Sequence, residues 1–381
     1  MIRPGIYIHI PFCRSRCSYC DFATGAYEGA LAEQYVRSLA REIESFETAD
    51  AREEEEVDTV YFGGGTPSLL TRAQVARVLE AVRKRFRVCV DAEVTMEMNP
   101  GTVTPELARA FRSEGVNRAS FGAQTFDDRE LRRLGRTHTA DDTRRTFETL
   151  RDAGFDNVSF DLIAGLPRQT LDAWGRNLEE ALALAPEHLS LYLLEVHEGT
   201  PLAAQIREGR YPSPDADTAA EMYRLLVERT RERGYEQYEI SNFCLRGRES
   251  RHNMKYWTGA PYYGFGCSAH SFDGRASRWS NERDARRYVE LIESCGTAVV
   301  ERTELDARER SAEALFLGLR LLSRGVDLAR HREVFQRDVR ADYAEDLARF
   351  NDAGLIRVEG DVLRLTPEGA LLSNEVFSAF V

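Results

Sequence analysis

The stretch EVTMEMNP, residues 93–100, alternates in character: Val94, Met96 and Met98 fall on one side, Glu93, Thr95, Glu97 and Asn99 on the other. Successive side chains of a strand point to opposite faces, so this reads as a strand with one apolar and one polar face. The same division recurs in RASFGAQ from Arg118, where Phe121 and Ala123 oppose Ser120, Gly122 and Gln124. In NVSFDLIAGLP from Asn157, Val158, Phe160 and Leu162 oppose Ser159 and Asp161. In HLSLYLLEV from His188, Leu189, Leu191 and Leu193 oppose His188, Ser190 and Tyr192. A parallel strand covered on both faces is normally a continuous apolar run, and these are not.

Two further strands, IYIHIP from Ile6 and TVYFGG from Thr59, precede them. Amphipathic stretches such as LAEQYVRSLAREIESF, RAQVARVLEAVRKRF, PELARAFRSEG and LDAWGRNLEEALAL lie between most of the six. Strands alternating with helices imply parallel βαβ units, and six in succession predict an α/β barrel or partial barrel. Helices pack on an apolar sheet face, so the polar face should line the lumen. A lumen filled for stability alone is rich in Val, Ile and Leu; this one is built to hold something polar. An antiparallel sheet with one wet face is the alternative, which the strand–helix alternation disfavours.

The alternation occupies residues 1–235. Residues 236–300 break into loops and short pieces and read as a connecting segment. Residues 301–381 read as a small domain of three helices, a hairpin (LIRVEGDVLRLT) and a last helix, which resembles a winged helix. That domain carries 12 Arg and Lys against 16 Asp and Glu, a net of -4, and the whole chain of 381 residues carries -12. Neither suits a nucleic-acid partner. The acidic run from Glu53 reads as a solvated segment before a strand. No signal-peptide pattern and no run of about 18 apolar residues is present, so a soluble cytoplasmic protein without stable membrane insertion is expected.

Three of the seven cysteines, Cys13, Cys17 and Cys20, fall within eight residues after the first strand. An odd, clustered set fits a reducing compartment better than a disulfide framework. The spacing C-x3-C-x2-C lets three thiolates converge on one metal centre. Structural zinc takes four protein ligands, and the fourth place could fall only to His9, which precedes the loop. A [4Fe–4S] cubane is normally held by four Cys; three would leave one iron open to a ligand. Among the other cysteines, Cys89 and Cys295 read as packing residues. Cys267 and His270, in GCSAHS, read as part of a Gly-rich loop with a buried Cys rather than a zinc site.

The Cys triplet with an aromatic, Tyr19, before its last member resembles the radical S-adenosylmethionine (SAM) proteins, whose open iron chelates SAM. GGGTP, Gly63 to Pro67, resembles their Gly-rich loop after the second strand, and EMNPGT, FGAQTF, LGRTH and DLIAGLP also match. The resemblance implies a partial (β/α)6 barrel and a [4Fe–4S] cluster on Cys13, Cys17 and Cys20. It implies SAM held by Gly63, Gly64, Gly65, Thr66, Glu97, Gln124, Arg136 and Asp161, with Tyr7 and Tyr19 near the cluster. It further implies an electron donor of the flavodoxin-reductase type and a 5′-deoxyadenosyl radical formed from SAM.

Over almost the full length, YIHIPFC, YFGGGTPSLL, VNRASFGAQTF, LGRTH, FDLIAGLPRQT and YEISNF resemble the oxygen-independent coproporphyrinogen oxidase-like group. That group holds coproporphyrinogen dehydrogenases and related haem chaperones. The dehydrogenases typically carry a further Cys two places after the triplet, where Phe22 stands here, and an N-terminal extension, whereas the first strand here starts by Ile6. The chaperones use an H-N-x-x-Y-W motif for haem, matched by His252, Asn253, Tyr256 and Trp257. The resemblance implies a haem chaperone delivering to recipient haemoproteins, with dimerisation on cluster loading. Coproporphyrinogen dehydrogenation, or a related haem-modifying or methyl-transferring reaction, is the alternative. His252 would ligate the iron, Tyr256 and Trp257 would stack on the porphyrin, and Arg251 or Lys255 would meet a propionate.

Overall fold

The computed structural model describes residues 2–47 and 55–380. The first two residues of the acidic run, 53 and 54, lie outside them; Glu56 begins a strand and pairs with Arg3 at 2.7 Å. One sheet of twelve strands dominates. In chain order these are β1 (Gly5–Ile10), β2 (Glu56–Gly64), β3 (Arg87–Met98), β4 (Arg118–Gln124), β5 (Val158–Ala164), β6 (His188–Leu193), β7 (Glu236–Gln237), β8 (Asn242–Cys244), β9 (Tyr262–Phe265), β10 (His270–Phe272), β11 (Ser277–Asn281) and β12 (Val299–Glu304). Strands β1 to β6 pair in sequence order, all parallel. This is the partial (β/α)6 barrel that the sequence implies.

The longer crossover helices are α1 (Gly29–Glu44), α2 (Arg72–Arg85), α3 (Pro105–Glu114), α4 (Ala140–Asp152), α5 (Leu171–Ala183) and α6 (Ala216–Glu232). In α1, Leu31, Ala32, Tyr35, Val36, Leu39 and Ile43 recur at three- and four-residue intervals and are the buried stripe. Helix α3 starts where Thr104 accepts from the Leu107 amide with Pro105 in the first turn. It ends at Gly115, whose φ of 109° supplies the left-handed cap.

The parity of the strands is as the sequence predicts. Ile6, Ile8, Ile10, Val60, Phe62, Val94, Met96, Phe121, Val158, Phe160, Leu189 and Leu191 join the helices in one hydrophobic cluster. Their neighbours of opposite parity turn inward. One irregularity sits in β4, where register slips between Gly122 and Gln124 and Gln124 takes φ 65°. Its amide thereby folds back over Gly122: a Cβ added there would lie 2.3 Å from Gln124 Nε2.

Residues 236–300, read from sequence as a connector, build sheet instead. β9 runs parallel beside β1, with β10 to β12 antiparallel beyond it, and β8 and β7 extend the other edge past β6. These strands have two to six residues, too short to show a period-two pattern. After them comes the helical unit around Ala307–Leu319, with a three-stranded sheet of Val326–Asp327, Val362–Leu365 and Ile356–Glu359 and its own core. Ile240 belongs to that second core, pinning the end of the barrel sheet to it. No helix among the described residues is long and apolar enough to cross a membrane.

Candidate metal and cofactor site

The cysteine loop leaves β1 at the carboxyl ends of the parallel strands. Its backbone is held from two sides: the amides of Gly65 and Thr66 donate to Ile10 O and Phe12 O (both 2.8 Å), and the Ser18 amide donates to Leu134 O (2.9 Å). Cys13, Cys17 and Cys20 are free, half-buried thiols. Burial pushes the Cys13 and Cys20 thiols up, and the neighbouring cysteines add to it, so the three lie close enough to repel as thiolates. Such a set is stable in its ligating form only with a cation to replace the protons. Among the described residues no three His, Cys, Asp or Glu side chains close tightly enough around a single metal ion. The donor set fits the wider cubane of an iron–sulfur cluster, with one thiolate for each of three irons.

A chain of hydrogen bonds links two of these sulfurs. The Thr66 hydroxyl donates to Cys13 Sγ (3.6 Å) and accepts from Asn99 Nδ2 (2.8 Å). Arg136 donates to Asn99 Oδ1 (2.8 Å), to Gly122 O (2.5 Å) and to Cys17 Sγ (3.5 Å). The guanidinium thus sets positive charge beside the thiolates and ties the loop to β3 and β4. Tyr19 is half-buried and packs with Leu134, Ile163 and Leu166.

The three glycines differ from expectation in their role. Their amides are not all free for a ligand, because the Gly64 amide donates to Glu97 Oε2 (3.1 Å) and that of Gly65 braces the cysteine loop. What glycine supplies is room. A Cβ on Gly63 would lie 2.9–3.1 Å from Tyr61, Tyr7 and Glu97, and one on Gly64 2.6–2.9 Å from the His9 ring. Gly64 also takes φ 107°, which side chains disfavour. His9 accepts from the Tyr7 hydroxyl at Nδ1 (3.1 Å) and donates from Nε2 to Ala23 O (3.0 Å). Both nitrogens serve the loop, which removes His9 as a fourth metal ligand.

Below the loop, Glu97 accepts from Tyr61 (2.8 Å) and keeps part of its surface open to the lumen. Burial pushes its carboxyl up to about 7, and the Asp161 charge adds to the shift. Asp161 is itself raised by burial, against the Ser190 hydroxyl and the Arg118 charge. Two carboxyls in a lumen, both reluctant to ionise alone, form a seat for a cationic ligand. Gln124 and Arg136 border the same space. The residues expected to hold SAM are therefore gathered in one place. Sequence reasoning missed Tyr61 and the buried Arg118, and weighed His9 only as a metal ligand; extending the strand parity to β2 finds Tyr61.

The residues assigned to haem are not gathered in the same way. They lie on helix α7 (Arg251–Thr258), whose first amides, Arg251 N and His252 N, donate to the two oxygens of Glu93 (3.1 Å each). His252 is buried. Its Nδ1 pairs with Thr59 Oγ1 (2.9 Å), its Nε2 with the Tyr256 hydroxyl (3.0 Å), and its ring stacks on Tyr61 at 5.2 Å. Burial lowers it to about 3, with Lys255 and Arg118 adding to the effect. Both nitrogens of this neutral imidazole are engaged by hydroxyls, so ligating haem iron, as the motif implies, calls for one of those hydroxyls to turn away. Tyr256 meets Tyr262 edge-on at 4.7 Å. Trp257 carries the Arg320 guanidinium 4.3 Å from its ring centre. Lys255 is buried against Asp58 (2.6 Å) and Arg3 O (2.8 Å), so it cannot reach a propionate. Asn253 is half-buried, its amide on Ser250 Oγ (3.4 Å). Cys267 is buried as expected, whereas Cys295 is exposed.

Comparison with known proteins agrees with this geometry. Residues 7–181 match the model of the Radical SAM superfamily, and residues 305–372 that of the HemN C-terminal domain. The heme chaperone HemW of Bacillus subtilis is 36% identical over 98% of this chain and 98% of its own length. The Escherichia coli heme chaperone HemW is 32% identical over 99% and 98%. A mouse mitochondrial radical S-adenosyl methionine domain-containing protein is 38% identical over 84% of this chain and 73% of its own. Among solved structures, coproporphyrinogen III oxidase (HemN) from Escherichia coli superposes with a TM-score of 0.85 over 100% of this chain and 90% of that one, at 24% identity. That likeness bears on the fold alone.

Proposed function

The chain belongs to the radical SAM superfamily and, within it, to the family of the HemW heme chaperones; from that premise we propose that it binds haem and hands it to recipient haemoproteins in the cytoplasm. Cys13, Cys17 and Cys20 hold a [4Fe–4S] cluster, and Glu97, Gln124, Arg136 and Asp161 with the Gly63–Thr66 turn hold SAM beneath it. When bound, the cluster supplies single electrons at an iron that SAM can occupy. The protein's own part is to orient the sulfurs through Thr66, Asn99 and Arg136, and to offer carboxylates to a cation in the lumen. An external reductase supplies the electron, and cluster loading favours a dimer.

The observation that carries the choice of chaperone over dehydrogenase is Phe22. It stands where the dehydrogenases resemble one another in having a further Cys, and it is 63% exposed on the cysteine loop. In an anaerobic assay the reconstituted protein should bind haem in a saturable way, pass it to an apo-haemoprotein, and leave coproporphyrinogen unchanged in the presence of SAM and a reductant. Conversion of coproporphyrinogen to protoporphyrinogen without haem transfer would reject this reading.

A further inference from the structure

The lumen contains a cation that no group of the protein holds. Arg118 opens β4 on its polar side and is 2% exposed. Its Nε is sealed from solvent without a hydrogen-bond partner; its terminal nitrogens bond to no described group either, but are not sealed. Thr95, its register neighbour on β3, also has a fully buried hydroxyl without a partner among the described residues. A buried charge is ordinarily paired, because an unpaired one gives up its hydration for nothing.

The groups around Arg118 do not take that place. Glu97 and Asp161 feel its charge. Glu97, however, is committed to Tyr61 and the Gly64 amide, and Asp161 to the Ser190 hydroxyl. His188 and His252 are held neutral by burial, an effect to which Arg118 adds. His188 is in any case occupied by Ser159 and Tyr238 (2.8 Å each). The space beside the guanidinium is open: Tyr7, Tyr61, Glu97, Asp161 and Tyr256 all point into the lumen and are only half-buried.

We infer that Arg118 anchors the carboxylate of a second ligand, an organic acid that enters the same lumen as SAM. The terminal nitrogens form a rigid fork of parallel donors that matches the two oxygens of a carboxylate. With Glu97 and Asp161 in the same lumen, a singly charged carboxylate suits the place better than a phosphate dianion, which they would repel. The lumen thus has two poles, Glu97 and Asp161 for a cationic group and Arg118 for an anionic one, a capacity separate from haem transfer and independent of it.

Propionate is the probe. The whole chain with its reconstituted cluster, kept anaerobic, is melted in rising sodium propionate and in sodium chloride of equal ionic strength. The wild type should gain stability saturably with propionate and not with chloride. Arg118→Met should lose that gain, its apparent Kd rising about tenfold or more. Without propionate it should melt no lower than the wild type, since an unpaired buried charge is gone. Arg118→Lys should keep part of the gain, with iron per chain unchanged in both variants. Absence of a propionate-specific gain in the wild type, or a gain that survives in Arg118→Met, would mean that water alone solvates the guanidinium and would overturn the site. So would an Arg118→Met protein that melts below the wild type, which would make Arg118 a structural brace. Haem and its dimethyl ester separate the two sources of a carboxylate. If the wild type prefers the free acid and Arg118→Met does not, the group is a porphyrin propionate. Any other pattern, with the propionate gain intact, makes it a free organic acid.

Discussion

Glu97 shows how one residue's chemistry follows from its place. Its folded-state value, about 7, lies above the ordinary 4.5, so the fold favours its protonated form. The stabilisation this gives is fully present below pH 4.5 and is lost as pH rises through about 7, up to about 3 kcal/mol. Denaturant titrations of the ligand-free protein between pH 4.5 and 8 should show that loss, and Glu97→Gln should flatten it. The same substitution should weaken SAM binding by tenfold or more at pH 8, and wild-type affinity should fall as pH drops through about 7; calorimetry reads both. Gly64→Ala meets the His9 ring at 2.6 Å with φ 107°, so it should cost about 2 kcal/mol and lower the iron bound per chain. At this scale the sequence was readable where a pattern fixes direction: alternation alone puts Glu97 and Asp161 in the lumen. His252 was not readable, because a motif spacing does not tell which face of a short helix is buried.

At the scale of elements, the alternation of strand and helix carried the parallel barrel, since each unit is long enough to show its period. The strands β7 to β11 escaped because two to five residues carry no period, and the bulge in β4 because a one-residue slip leaves no compositional trace. Beside the strand pairing, helix α7 is a further tie between this region and the barrel. Glu93 of β3 holds its first amides, and His252 bridges it to Thr59 of β2. Replacing His252 by Ala leaves two hydroxyls without their partner and a cavity between α7 and β2. Urea denaturation should register about 2–4 kcal/mol. A variant that keeps full stability would contradict this structural part of His252.

At the scale of the whole molecule, the barrel core and the C-terminal core, to which Ile240 belongs, are joined at a buried carboxylate. Glu239 is fully buried and accepts from Arg320 of the C-terminal domain (Nε at 2.8 Å) and from Asn242 Nδ2 (2.7 Å), while the same guanidinium covers Trp257. Arg320→Ala would strand that charge, a loss of about 3–5 kcal/mol, read by denaturant unfolding and by a changed Trp257 fluorescence. No single-strand pattern announces this joint, since its partners are 81 residues apart in sequence. The account as a whole stands on the cysteine loop at the carboxyl ends of the barrel strands. The most direct test is anaerobic reconstitution followed by iron analysis and electron paramagnetic resonance, with and without SAM. The account predicts about four irons per chain, a reduced-cluster signal that SAM perturbs, and loss of both when Cys13, Cys17 and Cys20 are all replaced by Ala. An iron–sulfur signal that survives the triple replacement, or one that SAM leaves unchanged, would contradict it.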